Sequence, residues 1–169
     1  MESVKVINSK SFNLKALQSA SKPVDYVDFE WYETNKRINF KISQNGLKIK
    51  LKFLNENPNF EQDDILIETE THYVAVNIMQ CDCLVITPKN AFEMASICYE
   101  IGNRHIPLFF EDNKLLVAYE KPLFNYFKAA GFNIKEEYTK LIQPLKTTVS
   151  PHGDNKSLFT KIMQFSQEK

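Results

Sequence analysis

Cys98-Tyr-Glu-Ile-Gly-Asn-Arg-His105-Ile-Pro-Leu108 decides how the second half of this chain reads. Upstream of it, Asn90 is placed to cap a helix over residues 91–101, and Gly102 reads as the helix stop. A single histidine, His105, then stands at the mouth of the next apolar strand. A rigidly placed imidazole can ligate borderline divalent metals. One imidazole holds a metal poorly, so the site has to be completed from elsewhere, and a two-fold partner is the simplest source.

Working outward, residues 83–86 form a short apolar strand closed by Thr87-Pro88. Residues 108–110 and 115–118 read as strands around the turn Glu111-Asp112-Asn113-Lys114. Pro122 suits the first turn of a second helix, which Gly131 ends, and a last strand fits 134–141. The order β-α-β-β-α-β is that of the ferredoxin-like fold. The spacing therefore predicts a ferredoxin-like unit over 80–145, which contains the candidate metal ligand and the candidate dimerisation surface.

The preceding stretch, 1–79, reads as a small all-β domain, which makes the fold class α+β. Ile38, Phe40 and Ile42 alternate with polar residues, Asn45-Gly46 follows, and Leu47, Ile49, Leu51 and Phe53 alternate again. Asn-Gly favours a two-residue turn with positive φ at both positions. That turn pairs Ile42 with Ile49, Phe40 with Leu51 and Ile38 with Phe53, all on one apolar face. Val27, Phe29 and Trp31 give another half-buried strand, and 65–67 and 73–78 give two more. From 146 to 169 the chain is polar and loop-like at first, and we expect a flexible C-terminal tail there.

The chain has 169 residues, with 21 basic and 21 acidic side chains. This neutrality argues against a nucleic-acid surface, which needs excess positive charge. The N-terminus lacks a signal-peptide core and no run approaches a membrane span, so a cytoplasmic location is expected. Three cysteines in such a chain are expected to be reduced thiols.

The helix over 91–101 is polar only at Glu93, Ser96 and Glu100. A helix on one face of a small sheet normally keeps a wet opposite side. Here a second face wants cover, which makes it a candidate homodimer surface with His105 just beyond its end. In a two-fold interface the same residue from both subunits meets near the axis. The plainer reading leaves the helix buried under the β domain and His105 as a hydrogen-bonded turn residue.

The segment Cys98-Tyr-Glu-Ile-Gly-Asn-Arg-His105 with Ile-Pro-Leu108 resembles the signature of the UreE family, urease accessory nickel chaperones. Supporting likenesses are Val24-Asp-Tyr-Val-Asp-Phe-Glu-Trp31, Asp64-Ile-Leu66, Val74-Ala-Val-Asn77 and Glu120-Lys-Pro122. The resemblance implies that His105 from each subunit of a homodimer is the shared ligand for Ni(II), with Zn(II) able to compete. Val149-Ser-Pro-His152 resembles the tail of Helicobacter-type members, which implies His152 as the completing ligand. The implied recipients are the GTPase accessory protein UreG and the urease apoprotein complex. The chain departs from the family in having one tail histidine instead of a histidine-rich run. It also carries Asp63 where a glycine is frequent.

Cys81 and Cys83 share a strand face and could reach one ion, but a closed thiolate site needs about two more ligands and only Cys98 remains. They are read as small buried hydrophobes, and His72 as a surface histidine. Two other functions compete. A zinc hydrolase needs three convergent ligands and a positioned acid or base, which three scattered histidines supply poorly. An RNA-binding sheet needs exposed aromatics and a basic face. No phosphate-cradling loop is evident, so any nucleotide belongs to the GTPase partner, and the resemblance implies a chaperone and not an enzyme.

Overall fold

The computed structural model describes residues 5–7, 13–16, 22–54 and 57–145. The expected tail at 146–169, with His152, lies outside the described residues. The remainder is mixed α+β, with three sheets and two helices.

Among the described residues, the first half contains six strands: β1 (Lys5–Ile7), β2 (Val24–Phe29), β3 (Ile38–Ile42), β4 (Lys48–Lys52), β5 (Ile65–Glu68) and β6 (Tyr73–Ile78). They form two three-stranded sheets, β1-β4-β3 and β2-β6-β5. Alternation along the strands sends Phe29, Ile49, Leu51, Phe53, Val74 and Val76 into one core. Two pairings, β1 with β4 and β2 with β6, are parallel. The sequence reading did not foresee β1.

The β3–β4 hairpin differs from expectation by one residue. Ile38 pairs with Lys52, Phe40 with Lys50 and Ile42 with Lys48. The loop is three residues long: the Ser43 amide donates to the Leu47 carbonyl (3.0 Å) and the Gly46 amide to the Ser43 carbonyl (2.9 Å). Gly46 has φ 89°, whereas Asn45 is not left-handed, so this is a turn closed by a glycine bulge. The cause is tertiary. Amides of Gln44 and Asn45 are held by β2, through the Tyr26 carbonyl (2.8 Å) and the buried Asp25 carboxylate (3.0 Å). A one-residue slip reverses the face of one strand. Ile38, Phe40 and Ile42 are consequently 56%, 66% and 61% exposed, beside Lys48, Lys50 and Lys52.

Trp31 also departs from the strand reading. β2 ends at Phe29, and Trp31–Glu33 form a single 3-10 turn. The Glu33 carboxylate reaches back to the Glu30 amide (3.1 Å), and the Glu33 amide donates to the Glu30 carbonyl (2.9 Å). Trp31 swings onto Phe109 in an edge contact with centroids 5.7 Å apart.

The second half runs β7 (Gln80–Ile86), α1 (Ala91–Asn103), β8 (Phe109–Glu111), β9 (Lys114–Ala118), α2 (Lys121–Ala129) and β10 (Ile134–Lys140). Its sheet has the order β10-β7-β9-β8, antiparallel throughout. The two-residue turn expected at Asn45-Gly46 occurs instead at Asp112-Asn113, where both residues have positive φ (46° and 63°). Leu84, Ile86, Leu115 and Val117 face the helices and meet Ile97, Ile101, Leu123 and Phe127. The opposite sheet face carries Cys83, Val85 and Leu116 against Phe109, Leu141 and Trp31. Each fully buried aliphatic or aromatic side chain here stabilises the fold by about 1.5–3 kcal/mol relative to exposure.

Candidate metal centre

Helix α1 begins as the sequence implies. The Asn90 side chain accepts the Glu93 amide at 2.9 Å, and the Glu93 carboxylate accepts the Lys89 amide at 2.8 Å. Its end is different. Gly102 is the penultimate helical residue and is not left-handed; the helix runs on to Asn103, with Arg104 as its cap. The left-handed residue that follows is His105 itself, at φ 56°. The His105 amide donates to the Gly102 carbonyl (3.0 Å) and the Ile106 amide to the Ile101 carbonyl (3.4 Å). This is the Schellman arrangement, with its apolar contact supplied by Ile106 packing into the cluster that holds Ile101.

Helix α2 provides an internal comparison. Gly131, at φ 80°, donates to the Lys128 carbonyl (3.1 Å), and Phe132 donates to the Phe127 carbonyl (3.1 Å). Two helices thus end in the same hydrogen-bond pattern, one through glycine and one through histidine. Left-handed backbone costs an L-residue roughly 1–2 kcal/mol. Histidine tolerates it better than most residues but less well than glycine. A chain optimised for the turn alone would carry glycine at 105.

The ring is exposed and forms no hydrogen bond among the described residues, while the backbone beneath it is fixed on both sides. Arg104 lays its guanidinium 4.9 Å from the Tyr126 ring centroid and approaches Glu100 at 3.8 Å. Ile106 is anchored in the core. His105 is therefore an imidazole presented to solvent from a rigid corner. No group of three His, Cys, Asp or Glu side chains able to hold a metal occurs among the described residues. One copy of this region offers a single ligand.

Beside the corner, α1 keeps an uncovered stripe. Ile97 and Ile101 are buried against the sheet, but Phe92 is 81% and Tyr99 70% exposed. Ala95 and Tyr99, with Tyr126 and Phe132, line a shallow depression between the helices. The second face that the sequence said wanted burial is present and open.

Other histidine and cysteine positions fall as follows. His72 is half-buried, its Nδ1 within 3.0 Å of the hydroxyls of both Thr69 and Thr71, where it braces the β5–β6 turn. Cys98 packs against the helix-side core, and burial pushes its thiol pKa up. Cys81 and Cys83 lie on the other sheet face. Asp63 has a left-handed backbone, with φ 69°. No helix among the described residues is long and apolar enough to cross a membrane.

Among the described residues, these features define a small α+β protein that offers one exposed imidazole at a strained helix end, with an open apolar stripe beside it. Models of the "UreE urease accessory protein" N-terminal and C-terminal domains match residues 7–79 and 81–155. The chain is 35% identical over 164 residues to a urease accessory protein UreE of Flavobacterium johnsoniae, covering 96% of this chain and 99% of that one. It is 34% identical to the Acetivibrio thermocellus protein of the same name over 140 residues (83% and 91% covered). It is 36% identical to that of Helicobacter acinonychis over 155 residues (88% and 90% covered). The chain belongs to the UreE family of urease accessory proteins.

Proposed function

We propose that this protein is a cytoplasmic nickel chaperone, not an enzyme, which carries Ni(II) to the urease active site during its assembly. In this reading it acts as a homodimer. The His105 imidazoles of two subunits hold one Ni(II) ion near the two-fold axis, and His152 from the tails completes the coordination. UreG and the urease apoprotein complex receive the cargo. The second half is read as ferredoxin-like, on its element order and its β10-β7-β9-β8 sheet.

The observation that carries the proposal is His105 in the left-handed cap position that α2 gives to glycine. A strained, exposed histidine with no hydrogen bond among the described residues supports a use outside its own chain. Gly102 supports a close second copy. It sits inside α1 in ordinary helical conformation, and a Cβ there would meet nothing. Glycine inside a helix costs about 0.5–1 kcal/mol against alanine, and nothing among the described residues needs it. A second backbone approaching the end of α1 would need it.

Imidazole takes zinc and copper as well as nickel, so selectivity rests on geometry and supply. Incomplete coordination suits hand-off, because a recipient can displace one tail ligand at a time. Binding weakens in mildly acid solution, since imidazoles must lose their protons to coordinate. The test is nickel calorimetry with oligomer mass on wild type and His105→Ala. The proposal expects the tight site to vanish in the variant and His152→Ala to change geometry or stoichiometry more mildly. Undiminished affinity in His105→Ala rejects it.

A further inference from the structure

On β7, Cys81 and Cys83 alternate with Asp82, so both thiols project from one sheet face. Their sulfurs are 3.5 Å apart. Cys83 is fully buried and Cys81 half-buried, against a pocket wall of Val85, Phe109, Leu116 and Leu141 with Trp31 over it. The single S–H of Cys83 has two carbonyl acceptors within reach, Cys81 (3.3 Å) and Thr139 (3.6 Å). Burial, reinforced by Cys81, pushes the Cys83 pKa up to about 12, and burial raises that of Cys81. The thiolate is the metal ligand, so a cation that binds this pair has to displace both protons.

The ligand count sorts the metals. Zinc asks for four ligands, and no third His, Cys, Asp or Glu joins the pair among the described residues. A cysteine-ligated iron–sulfur cluster asks for four cysteines, and the chain has three. Cys98 belongs to the core on the opposite sheet face. Soft monovalent cations differ: thiolate sulfur selects them, and a monovalent d10 ion is satisfied by two thiolates.

We propose that Cys81 and Cys83 form a two-coordinate site for a soft monovalent d10 cation, Cu(I) or its analogue Ag(I), separate from the imidazole site. One cation and two thiols give a bis-thiolate complex and two released protons, with no change of oxidation state. A linear arrangement needs the sulfurs about 4.5 Å apart, taking a metal–thiolate bond of roughly 2.3 Å. Turning the half-buried Cys81 side chain outward by about 1 Å provides that spacing. Glu30 and Asp82 attract a cation toward Cys81 but equally oppose loss of its proton, so the thiolate forms only as the metal takes the proton's place. Glu137, opposite Cys83 on β10, is paired with Lys135 and does not compete. The chain would thereby sort metals by softness, holding monovalent copper away from the corner that presents His105.

The test uses the full-length metal-free protein titrated anaerobically with Ag(I) in chloride-free buffer. Trp31, the only tryptophan, packs against the pair and serves as the reporter. The expected result is one tight equivalent per subunit, with a fluorescence change that saturates at that equivalent. Cys81→Ser should weaken binding at least about a hundredfold, the share of one ligand in a multi-ligand metal site, and remove the fluorescence change. Cys98→Ser and His105→Ala should keep both. Retention of the tight equivalent in Cys81→Ser, or its loss in Cys98→Ser, overturns the proposal. X-ray absorption at the silver edge of the wild-type protein gives a test that needs no variant: two sulfur neighbours support the site, and nitrogen neighbours refute it.

Discussion

Replacing His105 by glycine separates what the corner does for folding from what it does for metal. The residue sits at φ 56° in a Schellman turn whose two hydrogen bonds are made by backbone alone. Glycine keeps both bonds and removes a left-handed penalty of roughly 1–2 kcal/mol. It also adds about 0.5–1 kcal/mol of unfolded-chain entropy to be lost on folding. The balance is a stabilisation of about 0.5–1 kcal/mol. For a chain of this length that raises Tm by roughly 1–4 °C. Alanine keeps the strain and should leave Tm near wild type. The assay is thermal unfolding of chelator-treated wild type, His105→Ala and His105→Gly at one protein concentration, because association shifts apparent stability. Nickel calorimetry is run on the same samples. Both variants should lose the tight nickel site, while only the glycine variant melts later. A glycine variant no more stable than the alanine one would refute the strain argument, and one that still binds nickel would refute the ligand assignment.

Three further outcomes follow from the geometry. Burial raises the Glu33 carboxyl, but hydrogen bonds from Lys41, the Glu30 amide and Lys36 outweigh it and bring the pKa down to about 2. A depressed carboxylate pKa stabilises the fold above the unfolded value near 4.5, and that stability drains away as pH falls toward 2. The full shift is worth at most about 3 kcal/mol, and solvent at the rim of the network cuts it to about 1–2; denaturant melts of Glu33→Gln should show that gap at pH 7 and none near pH 2. In the β3–β4 hairpin, Phe40→Thr should cost no more than about 0.5 kcal/mol, whereas Leu51→Ala should cost about 2–5 kcal/mol; equal costs would restore the two-residue turn. Asp63→Gly relieves the left-handed backbone but removes the carboxylate that accepts from Gln62 (2.9 Å) and Tyr26 (3.4 Å), so stability should change by less than about 0.5 kcal/mol; a midpoint shift worth more than about 1 kcal/mol either way would count against this balance.

Much of the second half was legible because its signals are local. Asn90, Pro122, Gly131 and the alternation of 83–86 and 115–118 each act within a few residues of their own position, and the elements form close to where they predict. The helix end at His105 was misread although a signal was present. Schellman turns pair apolar residues five apart, and Ile101 with Ile106 does so as Phe127 does with Phe132. A stop at Gly102 would have asked Asn103 to fill that apolar place. The hairpin register was not legible, since Asp25 and the Tyr26 carbonyl lie some twenty residues upstream and override the local preference of Asn45-Gly46. Parallel pairing of β1 was hidden for a similar reason: three residues carry little pattern, and their partner is more than forty residues away. At the candidate site, His105 could be picked out from its place beside Gly102. Its strain could not, because the same four letters fit either ending of the helix.

β6 and β7 are separated by one residue, Met79, whose amide is tied to the Phe29 carbonyl at 2.8 Å. Lys140 reaches across to Asn77 (2.7 Å) and Gln62 (3.2 Å), and Trp31 rests on Phe109. A tether of this kind has no slack to take up torque. A recipient that grips the amino-terminal sheets would therefore also aim the corner at residue 105, much as holding a wrench by its handle sets the angle of its jaw.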